Sequence, residues 1–176
     1  MCVSFVQDRM LYCPRSKSTT CLCHNCTLKT IPCLQPYHSS VFERHVYIAE
    51  SSVHGYGLFA RSPIGVKDII CLYSGDRRSS AIEGNDYICK VTSCVQGVKP
   101  FFIDGKDKPY YSGRWANHSN FPNARLVVPL GGVISCHDNK KCAILVECIK
   151  PIEKDEEIFI DYGCGYSRRN YGRQSL

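Results

Sequence analysis

The chain has 176 residues, 44% hydrophobic and 22% charged, which suits one domain with a modest appendage and excludes a disordered tail. Its 22 Lys and Arg exceed 16 Asp and Glu, and the excess sits at the ends: residues 1–45 carry five basic against two acidic side chains, residues 163–176 add Arg168, Arg169 and Arg173, and the middle is neutral. Such short basic flanks suit nucleic-acid phosphates, an acidic protein surface or plain solvent, so charge alone names no partner.

Residues 1–44 hold six of the thirteen cysteines with Pro14, Pro32 and Pro36, and little periodicity, so this segment is expected to be irregular. Asp8 and Arg9 fall where a signal peptide needs an unbroken apolar stretch, so an intracellular, not a secreted, protein is expected. An odd number of cysteines cannot pair completely, and without a secretory signal the thiols are expected to be reduced. Four soft thiolates at short spacing suit tetrahedral zinc. The stretch therefore reads either as a structural zinc site on Cys21, Cys23, Cys26 and Cys33, with Cys13 as an extra ligand and His24 or His38 able to replace one, or as a thiol-rich loop that packs.

From His45 onward the chain becomes a series of short β-like runs: 46–51, 56–62, 69–75, 87–92, 100–104, 124–129, 143–149 and 157–163. They are rich in β-branched and aromatic residues and punctuated by Gly, Asn, Asp and Pro. The spacing between Tyr110 and His118 predicts a helical turn or two; nothing else holds a 3.6-residue apolar period. The fold class is thus mainly β, in several small sheets with long loops. Cys71, Cys89 and Cys148 lie in apolar runs and read as small buried hydrophobes. The longest apolar run, Cys142–Ile149, is broken by Glu147 and falls far short of the ~20 residues of a membrane span. The last dozen residues read as a tail or as a lid ordered by ligand.

Four segments stand out. Gly55-Tyr56-Gly57 lies between two strands, where missing Cβ atoms let backbone approach a ligand, although such a pair more often makes only a hairpin turn. Tyr73-Ser74-Gly75 ends a strand. Asn117-His118-Ser119, followed by Pro122-Asn123, concentrates amide, imidazole and hydroxyl groups in one turn. Glu157 and Asp161-Tyr162 close the last apolar run, where a tyrosine is ordinarily a core residue with a satisfied hydroxyl.

In this order the four segments, with Asp104 before the long loop, resemble the SET-domain protein lysine methyltransferases from about His45 to Gly163, roughly two thirds of the chain. The resemblance implies a SET fold of several small curved sheets, with the Asn117–Asn123 segment and the Tyr162 segment threaded against each other in a knot-like way. It divides the chain into a Cys-rich flank (1–44), a SET domain (45–163) and a basic tail (164–176). It further implies methyl transfer from S-adenosylmethionine to a lysine of a histone tail or another protein, a nuclear location, and flanks able to touch nucleosomal DNA. Tyr162 and Tyr73 would be the catalytic channel residues. Gly55, Tyr56, Gly57, Tyr87, Asn117, His118 and Tyr162 would hold the cofactor, and Tyr110 or Tyr111 either lines the channel or packs.

The chain departs from the family pattern in three places. Asn120 stands where many members have Cys, and only Cys164 follows Tyr162, so the C-terminal zinc site is expected to be missing and another segment, such as Tyr166 to Tyr171, to close the channel. Ile160 replaces a frequent Phe or Tyr two residues before the closing tyrosine, which leaves room and favours higher methylation. The N-terminal segment has fewer cysteines than those preceding some SET domains. A catalytically silent peptide-binding module is the alternative reading, and the presence of Asn117, His118 and Tyr162 together weighs against it.

Overall fold

The computed structural model describes residues 2–3, 43–92, 99–106, 111–128, 134–136 and 141–163. In chain order its elements are β1 (Cys2–Val3), β2 (Val46–Glu50), β3 (Tyr56–Ala60), β4 (Ile69–Arg78), β5 (Ile88–Val91), β6 (Phe101–Asp104), a 3-10 turn (Ser112–Trp115), β7 (Asn117–His118), β8 (Ala124–Val127), β9 (Ile134–Cys136), β10 (Lys141–Cys148) and β11 (Phe159–Ile160). All eight expected β-runs contain a strand, and the expected helical turn is the 3-10 turn. The cysteine cluster Cys13, Cys21, Cys23, Cys26 and Cys33 lies outside the described residues, as do Tyr110, Cys164 and the Tyr166 to Tyr171 stretch.

The long apolar run becomes β10, the hub of the main sheet, whose order is β1-β5-β6-β4-β10-β8 with β9 also on β10. Cys142 through Cys148 are all buried, which is why this strand reads as a continuous apolar run and not as an alternation. Glu147 is the exception in chemistry. It sits at a register shift against β4, and its carboxylate is met by Arg125 from β8 at 2.7 Å. Cys71, Cys89, Cys142 and Cys148 are all buried, as small hydrophobes should be.

Two smaller units pack on this sheet. β2 and β3 form an antiparallel hairpin, and β7 and β11 form a parallel pair joining Asn117 to Phe159 and His118 to Ile160. One core cluster spans all three units, with Leu58, Ile70, Tyr73, Ile103, Ile144, Ile158 and Ile160 each almost inaccessible. Full burial of such a side chain is worth about 1.5–3 kcal/mol. The cluster therefore ties the hairpin and the parallel pair firmly to the sheet. Among the described residues no helix is long and apolar enough to cross a membrane.

Asp104 ends β6 as a buried acid. Arg78 Nε donates to it at 2.7 Å, Asn85 Nδ2 at 2.9 Å and the Lys106 N–H at 3.1 Å. Burial alone would lift its pKa, but the Asn85, Lys106 and Arg78 donors outweigh it and hold the carboxyl below its usual range. A folded pKa below the unfolded one means stability that is present above the unfolded value and lost as pH falls through the folded one. The loss belongs below about pH 4. Asp104→Asn should therefore lower stability at pH 7 yet flatten the acid limb. Denaturant unfolding at neutral and acidic pH checks this, and an unchanged acid limb would contradict it.

Candidate active site

The site forms where the hairpin, the 3-10 turn and the parallel pair meet. The hairpin loop is closed by the Ser51 N–H donating to the Gly55 carbonyl at 2.8 Å, with Gly55 at φ +50°. Nothing lies within 4 Å of the position a Gly55 Cβ would take, so the glycine serves backbone conformation beside open space. Gly57 is different. A Cβ there would overlap Glu157 Oε1 and lie 2.8 Å from Glu157 Cδ. Its room is used by a side chain of the same protein.

The 3-10 turn begins where the Ser112 N–H donates to Glu43 Oε2 at 3.1 Å, a cap supplied from 69 residues away. The turn presents Trp115 to the hairpin and Arg114 to Tyr87 and the Lys106 carbonyl. Trp115 meets Tyr56 edge-on at 6.1 Å, and the Arg114 guanidinium lies 4.8 Å from the Trp115 ring and 4.5 Å from Tyr87. Tyr56, Trp115, Arg114 and Tyr87 thus form one line joining two of the residues expected to hold the cofactor.

Past the turn, Asn117 Nδ2 donates to Glu157 Oε1 at 2.8 Å and to the carbonyls of Tyr56 at 3.2 Å and His54 at 3.4 Å. Two amide hydrogens face three acceptors, so the Asn117 side chain is turned with Oδ1 on the other side. His118 is buried, and its Nδ1 accepts the Tyr162 N–H at 3.0 Å, so the neutral ring carries its proton on Nε2. Asn123 donates to the Glu157 carbonyl and accepts from the Phe159 N–H, both at 2.8 Å, so its amide stands in for a missing strand. These interlaced bonds, with the parallel pairing, are the threading that the resemblance implied.

Tyr162 is delivered by a local device. Asp161 Oδ1 accepts the Gly163 N–H at 2.7 Å, and Gly163 takes φ +89°, so the chain turns at once after the tyrosine. The half-buried Tyr162 ring lies 5.4 Å from that of His118, and its hydroxyl donates to the Ala116 carbonyl at 2.8 Å. Tyr73 belongs to the same core cluster, almost inaccessible, with its hydroxyl donating to the Tyr87 carbonyl at 2.5 Å. Burial, then the neighbouring Cys89, Tyr162 and Asp104, push the Tyr73 phenol well above its ordinary pKa, against a smaller opposing pull from Arg114.

The sequence-predicted residues Gly55, Tyr56, Gly57, Tyr73, Tyr87, Asn117, His118 and Tyr162 are therefore drawn into one connected region. Tyr111 packs on a second cluster with Leu72, Val127, Ala143 and Leu145. Ile160 is fully buried in the main core. Sequence reasoning assigned no role to Ser51, Ala116, Asn123 or Glu157. Asn123 and Glu157 stood inside the quoted motifs, whereas Ala116 contributes only its carbonyl and left no signal. Among the described residues no group of three or more His, Cys, Asp and Glu side chains is placed to hold a metal.

A family model for the SET domain matches residues 55–163. Among solved structures the chain is similar to a Plasmodium falciparum protein provisionally described as a histone methyltransferase, at 26% identity and a TM-score of 0.47, over 68% of this chain and 94% of that one.

Proposed function

The chain belongs to the SET-domain family, and from that premise we propose that it is an S-adenosylmethionine-dependent protein-lysine N-methyltransferase whose target is a histone lysine. The observation that carries the proposal is the convergence of Asn117, His118 and Tyr162 through the bonds from Asn117 Nδ2 to the hairpin and from the Tyr162 N–H to His118. The surroundings fit the cofactor. Gly55 borders open space, the Tyr56 ring is about half exposed, and Asn117 offers an acceptor to an ammonium or other N–H donor at the methionine end. Tyr87 and His118 complete the set of residues assigned to the cofactor.

S-adenosylmethionine supplies an electrophilic methyl on a sulfonium. The chain's own task is to present a neutral amine to it, since an ammonium has no lone pair. Lysine's ordinary pKa of ~10.4 makes that a matter of desolvation and orientation. Tyr162 has the right polarity. Its hydrogen goes to the Ala116 carbonyl, so its oxygen meets the amine as an acceptor and aims the nitrogen lone pair. Tyr73 is assigned to the channel wall beside Tyr162; held neutral by burial, it does not act as a base. Ile160 brings no hydroxyl to hold a water there, which favours more than one methyl.

The catalytic unit is assigned to 45–163, with the basic flanks available to nucleosomal DNA and a nuclear location following from the histone substrate. A radiolabelled-methyl assay of the full chain on a core-histone panel, with mass spectrometry of the product, tests this. Label on a histone lysine is expected. No incorporation with intact cofactor binding would leave a peptide-binding module instead, and no cofactor binding would end the reading altogether.

A further inference from the structure

Glu157 is 8% exposed, and each of its oxygens is held by a neutral donor: Oε1 by Asn117 Nδ2 at 2.8 Å and Oε2 by the Ser51 hydroxyl at 2.9 Å. Ser51 in turn accepts the Val53 N–H at 3.0 Å, so the same hydroxyl shapes the hairpin loop. The carboxylate fills the space a Gly57 Cβ would need. Among the described residues no Lys, Arg or His nitrogen pairs with it. A buried carboxyl group without a cation beside it favours a cationic group arriving from outside, because charges withdrawn from water are stable only when compensated.

We propose that Glu157 is a positioning residue for the cofactor: it fixes the Asn117 amide so that Oδ1 faces the ligand as an acceptor, and it is the reason residue 57 is glycine. Its carboxylate, one hydrogen bond behind Asn117, biases that acceptor toward a ligand ammonium. The inference rests on the cofactor reading above for the identity of the ligand, but not for the geometry. Glu157 does not touch the reacting atoms. It acts through Asn117 and through the hairpin carbonyls that share the Asn117 amide.

The test has two arms. In the ligand-free protein, the Asn117 side-chain NH2 resonances in a 15N spectrum should move in Glu157→Ala and in Gly57→Ala, and stay near their wild-type positions in Glu157→Gln, which keeps an acceptor at Oε1. By isothermal titration, Glu157→Ala should weaken S-adenosylhomocysteine, which carries the ammonium, by about tenfold and methylthioadenosine, which lacks it, by less than about twofold. Glu157→Gln should recover most of the loss. Gly57→Ala should imitate Glu157→Ala, and the double variant should be no worse than either alone, because the atom that the new methyl displaces is already gone. Unmoved Asn117 resonances in Glu157→Ala, equal losses for both ligands, or losses that multiply in the double variant would overturn the proposal. If the wild-type protein binds neither ligand, the cofactor reading fails, while the ligand-free arm still decides the role of Glu157.

Discussion

Tyr162→Phe is expected to cut methyl transfer by about 100-fold or more while leaving cofactor affinity within about twofold, on the scale that a misplaced reacting group costs. The substitution removes one oxygen and little else. The Tyr162 N–H keeps its bond to His118 Nδ1, the ring keeps its place against the imidazole, and the Asp161–Gly163 turn that aims the side chain is untouched. What is lost is the hydroxyl that donates to Ala116 and, in the proposed reaction, accepts from the amine. The loss should fall on kcat more than on KM, because an orienting contact matters most when the nitrogen meets the methyl. Rates on the histone panel and a titration of S-adenosylhomocysteine check the two halves. Retained activity would remove Tyr162 from the centre of the mechanism.

The strands were legible because their residues announce themselves locally. β10 carries the longest apolar run, interrupted only at Glu147, and the runs of β3, β4 and β5 are β-branched and aromatic between turn residues. β7 was not legible. Asn117 and His118 have no strand-like character, and they become a strand only by pairing in parallel with Phe159 and Ile160, some forty residues later. Glu157 was hidden for a related reason. In the run Glu156 to Ile160, Ile158 and Ile160 share the face turned into the core, so alternation sends Glu157 to the opposite face along with Phe159. That side is buried at Glu157 because Phe59 bridges to it from the hairpin and Gly57 leaves room beside it. The neighbouring Glu156 is exposed, and nothing local distinguishes the two. The same distance effect explains Gly57. Read alone, the missing Cβ suggests space for a ligand; in the fold, the space is taken by a carboxylate one hundred residues further on.

Gly75→Ala is expected to be the most damaging of the glycine substitutions to the fold, about 3 kcal/mol or more, and a fall in Tm on the order of 10 °C. Gly75 lies in β4 between Cys142 of β10 on one side and β6 on the other, and a Cβ there would overlap the Asp104 carbonyl and lie 2.8 Å from the Gly105 nitrogen. Both obstacles are backbone, so no side chain can rotate away. Relief requires β6 to retreat, and β6 carries the Asp104 carboxylate with its Arg78 and Asn85 donors, while Gly105 sits against the Tyr73 hydroxyl. The glycine of the Tyr73-Ser74-Gly75 segment thus serves to hold strands together. Gly55→Ala makes the contrast. Its Cβ would meet nothing, and the cost is confined to a φ of +50°, about 1–2 kcal/mol. Thermal melts of the two variants separate the arguments, for steric exclusion by backbone must cost Gly75 about twice or more what left-handed strain costs Gly55. Equal shifts would mean that β6 yields to a methyl group without loss, and the close packing of β4 on β6 would no longer explain why residue 75 is glycine.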